Sequence, residues 1–281
     1  MINTVILSYI TFIYFISFFF YLLMMVMGNS GLGRIATCVT WGGFVVQTFA
    51  IILRWIESYH LGIGHAPLSN LYESLIFFAW TVILLYLLIE WRTKNKSLGA
   101  FATPLAFLAL AYGSYSPNIS SRIQPLVPSL QSNWLLAHVI TSFFGYAAFG
   151  LAFGLSLMYL FKRLDNPGKQ NIFLRRIPRL SVLDDLTYQM VVIGFLMLTL
   201  GIITGAIWAH SAWGSYWSWD PKETWSLITW FVYAALLHSR LMRGWRGKRL
   251  AILSIAGFCC VMFTYFGVNY LAGLHSYAQS S

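Results

Sequence analysis

Residues 186–208 read LTYQMVVIGFLMLTLGIITGAIW, 23 consecutive positions without an Asp, Glu, Lys or Arg. A helix needs about 20 mostly apolar residues to cross the hydrocarbon core of a bilayer. The stretch therefore reads as a membrane span, and its Gly201-x-x-x-Gly205 spacing as the mark of a close helix contact. Working outward, seven further stretches have the same character: 4–27, 36–56, 71–91, 98–115, 134–161, 224–242 and 250–271. The expectation is all-α: a polytopic integral membrane bundle of about eight transmembrane helices. Its connections are short, so residues 1–281 form a single membrane domain with no soluble part, and any chemistry lies in the bilayer or in loops at its surfaces. No Lys or Arg precedes the first span, and its apolar run is longer than a signal h-region, so it reads as a retained anchor.

Composition supports this. Of 281 residues, 58% are hydrophobic, 18% aromatic and 9% charged. Soluble domains carry roughly a quarter charged residues, so an ordinary water-soluble enzyme is excluded. The net charge of +10 would suit a nucleic-acid partner in a soluble protein. Here its placement explains it. Fifteen of the 18 Lys and Arg residues fall in the loops at one face: Arg34, those at 92–96, those at 162–179 and those at 240–249. Only Arg54, Arg122 and Lys222 fall at the other. Short loops rich in Lys and Arg stay inside. Both termini and the loops near 59–70, 116–133 and 209–223 are thus expected outside, in a periplasm or lumen. The basic excess is a topology signal, with membrane lipid and no nucleic acid as its partner.

Cys38, Cys259 and Cys260 all fall inside predicted spans without a C-x-x-C pair, so they read as small apolar packing residues rather than thiol–disulfide catalysts. The six histidines are more informative. His60, His65 and His210 fall in outward loops, His138 at the outward start of the fifth span, and His275 after the outward end of the eighth. Only His238 lies at an inward end, that of the seventh span. A membrane histidine is often a helix-to-helix hydrogen bonder, yet intramembrane ionisable groups are also functional candidates. Zinc wants three or four clustered N/S ligands, and a hard cation wants carboxylates; neither pattern is present. Neutral imidazole is a good axial ligand for haem iron, and haem also wants a large aromatic surface.

Such a surface is visible between Trp208 and Trp230, which holds six of the 12 tryptophans. An interfacial aromatic belt scatters over many helix ends, whereas this is one dense loop, 209–223. Trp213, Gly214, Trp217 and Trp219 are expected to make a flat platform. Asp220-Pro221 opens the next helix, Asp as N-cap and Pro at the first position.

The string Trp213-Gly214-x-x-Trp217-x-Trp219-Asp220, followed by Trp225 and Trp230, resembles the "WWD" signature of haem-handling proteins of cytochrome c maturation. Within that superfamily, which includes CcmC and CcmF, the chain resembles the CcsA/ResC family of the System II pathway. Further matching segments are Gly64-His65-x-Pro67-x-x-Asn70-x-Tyr72-Glu73, Trp134-x-x-x-His138 with Gly145-Tyr146, His238-x-Arg240, and Gly273-Leu274-His275-Ser276-Tyr277. The resemblance covers about residue 36 to the end. It implies that His138 and His275 ligate haem b at the outer surface beside the tryptophan loop. It implies that His238 ligates haem on the inner side, with its partner ligand supplied by a separate CcsB (ResB-like) subunit. It implies an apocytochrome c as acceptor and a thylakoid membrane, or alternatively a bacterial plasma membrane, as the location. The expected site is thus Trp213, Gly214, Trp217, Trp219, Asp220, Trp225, His138, His238 and His275, with Arg122 or Lys222 near the propionates. A haem exporter without ligation activity and a bis-histidine electron-transfer subunit are the alternatives.

Overall fold

The computed structural model describes residues 2–165 and 172–271. Seven of the eight apolar stretches lie, to within one residue, in a long helix, and the eighth, 250–271, begins in one that already ends at Tyr265. The long helices are α1 (Ile2–Met27), α2 (Ser30–His60), α3 (Leu71–Thr93), α4 (Gly99–Tyr115), α5 (Asn133–Arg163), α7 (Leu180–Trp213), α8 (Pro221–Arg243) and α9 (Lys248–Tyr265). A short helix, α6 (Ile172–Arg176), follows α5, and 3-10 turns occupy Pro128–Leu130 and Gly267–Tyr270. Among the described residues there is no strand. Six helices, α1, α2, α3, α5, α7 and α9, are long and apolar enough to cross a membrane. Helix α4 stops at 17 residues and carries Pro104. Helix α8 opens with Lys222, Glu223, Thr224 and Ser226 and ends with His238, Ser239 and Arg240.

Most of the helices run past the expected spans, because chain outside the hydrocarbon stays helical until a cap stops it; α9 instead stops at Tyr265, short of the expected 271. Asn29 caps α2 by accepting the Gly31 amide, and Asn70 caps α3 by accepting the Glu73 amide. Gly244 ends α8 in the left-handed conformation at φ 61°, the usual helix stop. The largest shift is at α7, which extends to Trp213. The tryptophan loop is therefore only residues 214–220, not 209–223.

The chain divides into two compact units, residues 1–127 with 161–179, and residues 128–160 with 180–281. In the first, α1 packs on α2 and α4, and α3 on α4. Its interior is knit by buried polar groups, most of them partnered, as a medium without water requires. Tyr14 donates to Gln47 Oε1 (2.6 Å), and Gln47 Nε2 donates to the Ile76 carbonyl (3.0 Å). Ser17 bonds Thr40. Glu90 accepts from Tyr86 (2.6 Å), Thr37 (2.7 Å) and Lys96 (2.6 Å). Near the other end of α3, Arg54 and Glu73 form an ion pair that is almost fully buried, 1% exposed on each side. Arg54 Nε donates to Glu73 Oε1 at 2.9 Å, while Nη2 stands 2.8 Å from the same oxygen without hydrogen-bond geometry.

In the second unit α8 packs on α7 and α9, and Phe149 of α5 stacks on Tyr233 of α8. Small residues let α5 and α7 approach: a Cβ on Gly145 would lie 3.2 Å from the Gly194 carbonyl, and one on Gly201 would lie 2.6 Å from Ser142 Oγ. The Gly201-x-x-x-Gly205 pair thus lies at a close contact between α7 and α5. Close backbone approach over small residues is how membrane helices gain contact area when lipid is as apolar as leucine.

Candidate functional site

The tryptophan loop and His138 lie in the second unit. His138 sits in the second turn of α5, half-buried. Its Nδ1 is 2.7 Å from the Gly201 carbonyl oxygen of α7. The Trp208 ring lies nearly parallel to the imidazole, with centroids 5.9 Å apart and planes at 20°. Trp208 is buried and donates its indole N–H to the Ser129 carbonyl at 2.7 Å. Trp213 leans on Trp208, centroids 4.9 Å apart and tilted by 59°. The sequence reading assigned no role to Trp208, yet it is the tryptophan in ring contact with His138. Only its position one turn before the end of α7 marks it out.

The loop is held by its own polar groups. Gly214 turns the chain at φ +76°, its amide bonded to the His210 carbonyl at 2.9 Å. Trp219 is left-handed at φ +60°, a conformation that costs a side-chain-bearing residue roughly 1–2 kcal/mol. Glu223 offsets that strain. Its Oε2 accepts the Ser218 amide (2.7 Å), the Ser218 hydroxyl (3.2 Å) and the Asp220 amide (3.2 Å). Asp220 accepts the Lys222 amide at 2.9 Å, so Asp220 and Glu223 form a reciprocal capping box at the start of α8. Asp220 is thus an N-cap, as expected, and Pro221 opens the helix. Glu223 was overlooked, although the Asp-x-x-Glu spacing before a helix is its signature.

The rings do not make one flat platform. Trp217 and Trp219 stand perpendicular, centroids 5.7 Å apart, and Trp219 is 68% exposed. Trp225 packs against Phe263 of α9 (4.2 Å). Trp230 packs on Phe195 and donates to Thr199 Oγ1 at 2.9 Å. These two hold helices together.

His238 lies on α8, roughly 25 Å along the helix from Pro221, and is exposed. Two residues on, Arg240 pairs with Asp184 and Asp185 and covers the Tyr188 ring at 4.6 Å. Asp184 also accepts the Gly247 amide at 2.7 Å, so this end of the unit is tied across α7, α8 and the turn before α9. His275 lies outside the described residues. His60 and His210 are exposed, and His210 stacks on Tyr216 (4.2 Å). His65 is buried, with Nδ1 2.8 Å from the Ala66 carbonyl and Nε2 3.0 Å from the Gln124 carbonyl. It ties the loop after α2 to the stretch after α4. Of the two candidate cations, Arg122 is exposed in the first unit, whereas Lys222 is half-buried at the start of α8 in the second. Lys222 precedes the apolar run of α8. Burial pushes its ammonium below the usual lysine range, while neighbouring Asp220 pulls it upward.

Fold and site together define a multi-pass helical membrane protein that sets a hydrogen-bonded histidine against a tryptophan near the end of α7. A sequence profile of the family described as Cytochrome C assembly protein matches residues 68–275. "Cytochrome c biogenesis protein CcsA" of Pyropia yezoensis is 40% identical, the alignment covering 89% of this chain and 89% of that protein. Proteins of the same name from Prochlorococcus marinus (strain MIT 9303) and Chlorella vulgaris are 42% and 41% identical, over 90% and 89% of this chain and 86% and 85% of theirs. Among solved structures, "Cytochrome c Heme Lyase CcmF" superposes with a TM-score of 0.69 at 17% identity, over 94% of this chain and 46% of that longer one. That likeness is one of fold. The chain belongs to the cytochrome c assembly family, with a role in cytochrome c maturation.

Proposed function

We propose that this chain receives haem b and presents it, ligated by His138 and His275 beside the tryptophan turn, for covalent attachment to the C-x-x-C-H motif of an apocytochrome c. It does so in a thylakoid membrane with a separate CcsB-type subunit. The observation that carries the reading is the bonding of His138. A carbonyl oxygen only accepts, so the Gly201 bond places the imidazole proton on Nδ1 and leaves Nε2 with its lone pair for iron. Metal-binding histidines characteristically give their other N–H to a carbonyl or carboxylate. Trp208 and Trp213 supply aromatic surface next to that ring, and Lys222 a cation suited to a propionate.

The protein's part in attachment is placement. Each cysteine S–H adds across a haem vinyl C=C: sulfur bonds one carbon, the hydrogen ends on the other, and no further reactant is consumed. Holding thiol and vinyl together converts an encounter into an effectively unimolecular step, worth up to about 7–11 kcal/mol. His238 fits an earlier stage of the same path. Exposed on α8, it suits a haem shared with a ligand from another subunit.

The test is visible spectroscopy of the chain purified with its partner subunit from haem-replete cells. His138→Ala and His275→Ala should each alter the haem spectrum and lower cytochrome c yield, and added imidazole should restore both. Unchanged spectra and yields would remove the axial-ligand assignment. Attachment by the purified complex in vitro separates this reading from haem export alone.

A further inference from the structure

The segment of α7 that faces His138 does more than border it. The Gly201 carbonyl takes the Nδ1 proton at 2.7 Å. One turn on, Gly205 leaves no room: a Cβ there would lie 2.6 Å from Nδ1 and 2.9 Å from Cε1 of the imidazole. Almost one turn further, Trp208 lays its indole nearly parallel to the ring, itself held by burial and by the Ser129 carbonyl. A Cβ on Gly201 would strike Ser142 Oγ at 2.6 Å and push away the helix that carries His138. Three positions spaced along one face of α7 thus constrain the ring by a bond, a close approach and a stack.

We propose that Gly201, Gly205 and Trp208 are the positioning residues of His138, fixing its tautomer and ring plane so that Nε2 alone is offered to haem iron. The proposal rests on the reading of His138 as an axial ligand and says how that ligand is made competent. The Nδ1–H···O bond makes Nε2 the more basic donor, which favours the oxidised iron. Disturbing the cradle should therefore weaken haem retention and raise the reduction potential of whatever haem remains.

The tautomer is tested without haem. Histidine labelled with ¹⁵N in the complex from haem-depleted cells should show one ring signal, absent from His138→Ala, with the proton on Nδ1; a proton on Nε2 overturns the proposal. In haem-replete complex, Gly205→Ala should cut haem retention about tenfold or more, the range for losing such supporting contacts. Its residual haem should have a raised potential, and imidazole should restore the spectrum. Gly201→Ala should behave alike, and adding Ser142→Ala, which removes the clashing oxygen, should reverse it. Wild-type retention and potential in Gly205→Ala overturn the proposal. So does a loss in Gly205→Ala that imidazole cannot mend while it mends His138→Ala, because fold and not ring placement is then lost. An unchanged spectrum in His138→Ala instead removes the ligand assignment.

Discussion

Glu223→Ala should unfasten the tryptophan turn while leaving the helices in place. The Glu223 carboxylate accepts two exposed bonds from Ser218 and one part-buried bond from the Asp220 amide. Each is worth about 0.5–1 kcal/mol net. A negative charge in the first turn of α8 adds about 0.3–1 kcal/mol through the helix dipole. Losing all of this costs about 2–4 kcal/mol of local order. Every 1.4 kcal/mol is tenfold, so the open population of the turn should rise about 30- to 700-fold. Trp219 adds to the effect, since its left-handed backbone relaxes once the turn opens. Amide hydrogen exchange of the 214–224 peptide reads that population directly, and should accelerate by this factor in Glu223→Ala. Glu223→Gln keeps an acceptor without the charge and should fall between. Thr224→Val, which removes only the 3.2 Å bond from the Thr224 hydroxyl to the Trp219 carbonyl, should change exchange severalfold at most. If Glu223→Ala exchanges at the wild-type rate, the turn is held by something other than this carboxylate.

Three further outcomes follow from the same geometry. Breaking the buried Arg54–Glu73 pair with Glu73→Gln or Arg54→Met should each cost about 3–5 kcal/mol; the double variant should cost less than the two together, and strict additivity in unfolding measurements would refute the coupling. Trp208→Phe should keep the ring over His138 and lose only the bond to Ser129, about 1 kcal/mol, so haem retention should survive it better than Trp208→Leu; equal losses would show that the aromatic face is immaterial. Lys222 carries its charge below its pKa, which burial depresses from 10.5, so its attraction for a propionate is complete at lower pH and fades as pH rises through that lowered value. Haem retention should then decline at a pH below 10.5 in the wild type and lose that step in Lys222→Gln; an identical pH profile in the variant would remove Lys222 from the site.

Much of the fold was legible because an apolar length is a one-dimensional property. Seven of the eight predicted stretches lie in a helix to within one residue, the eighth outruns α9, which ends at Tyr265, and Asp220-Pro221 begins α8. The two-unit division was not legible, since leucine facing lipid and leucine facing a neighbouring helix read alike. Nor was the size of the tryptophan turn, because nothing before Gly214 stops α7. The perpendicular setting of Trp217 and Trp219 accompanies a backbone choice at Trp219 held by a carboxylate four residues away. Glu223 was spelled out in the sequence as a capping box and passed over. The Gly201 carbonyl had no such signal. Every residue carries one, and only the close approach of α5 to α7 singles this one out.

That contrast bears on the two histidines the structure describes at candidate haem positions. His138 has its Nδ1 proton taken, its ring stacked and its helix held at close range, which are the conditions under which a ligand keeps what it binds. His238 stands exposed on α8, while the residue two places on, Arg240, is locked to Asp184, Asp185 and Tyr188. The exposed residues one turn to either side of His238, Ala235, Leu241 and Met242, are apolar, and an exposed imidazole among apolar neighbours is a functional candidate. On the function proposed above, a second subunit or the haem they share would cover this ring. On that function, His138 would retain haem and His238 would hand it over, an asymmetry that a carrier ending in covalent attachment needs.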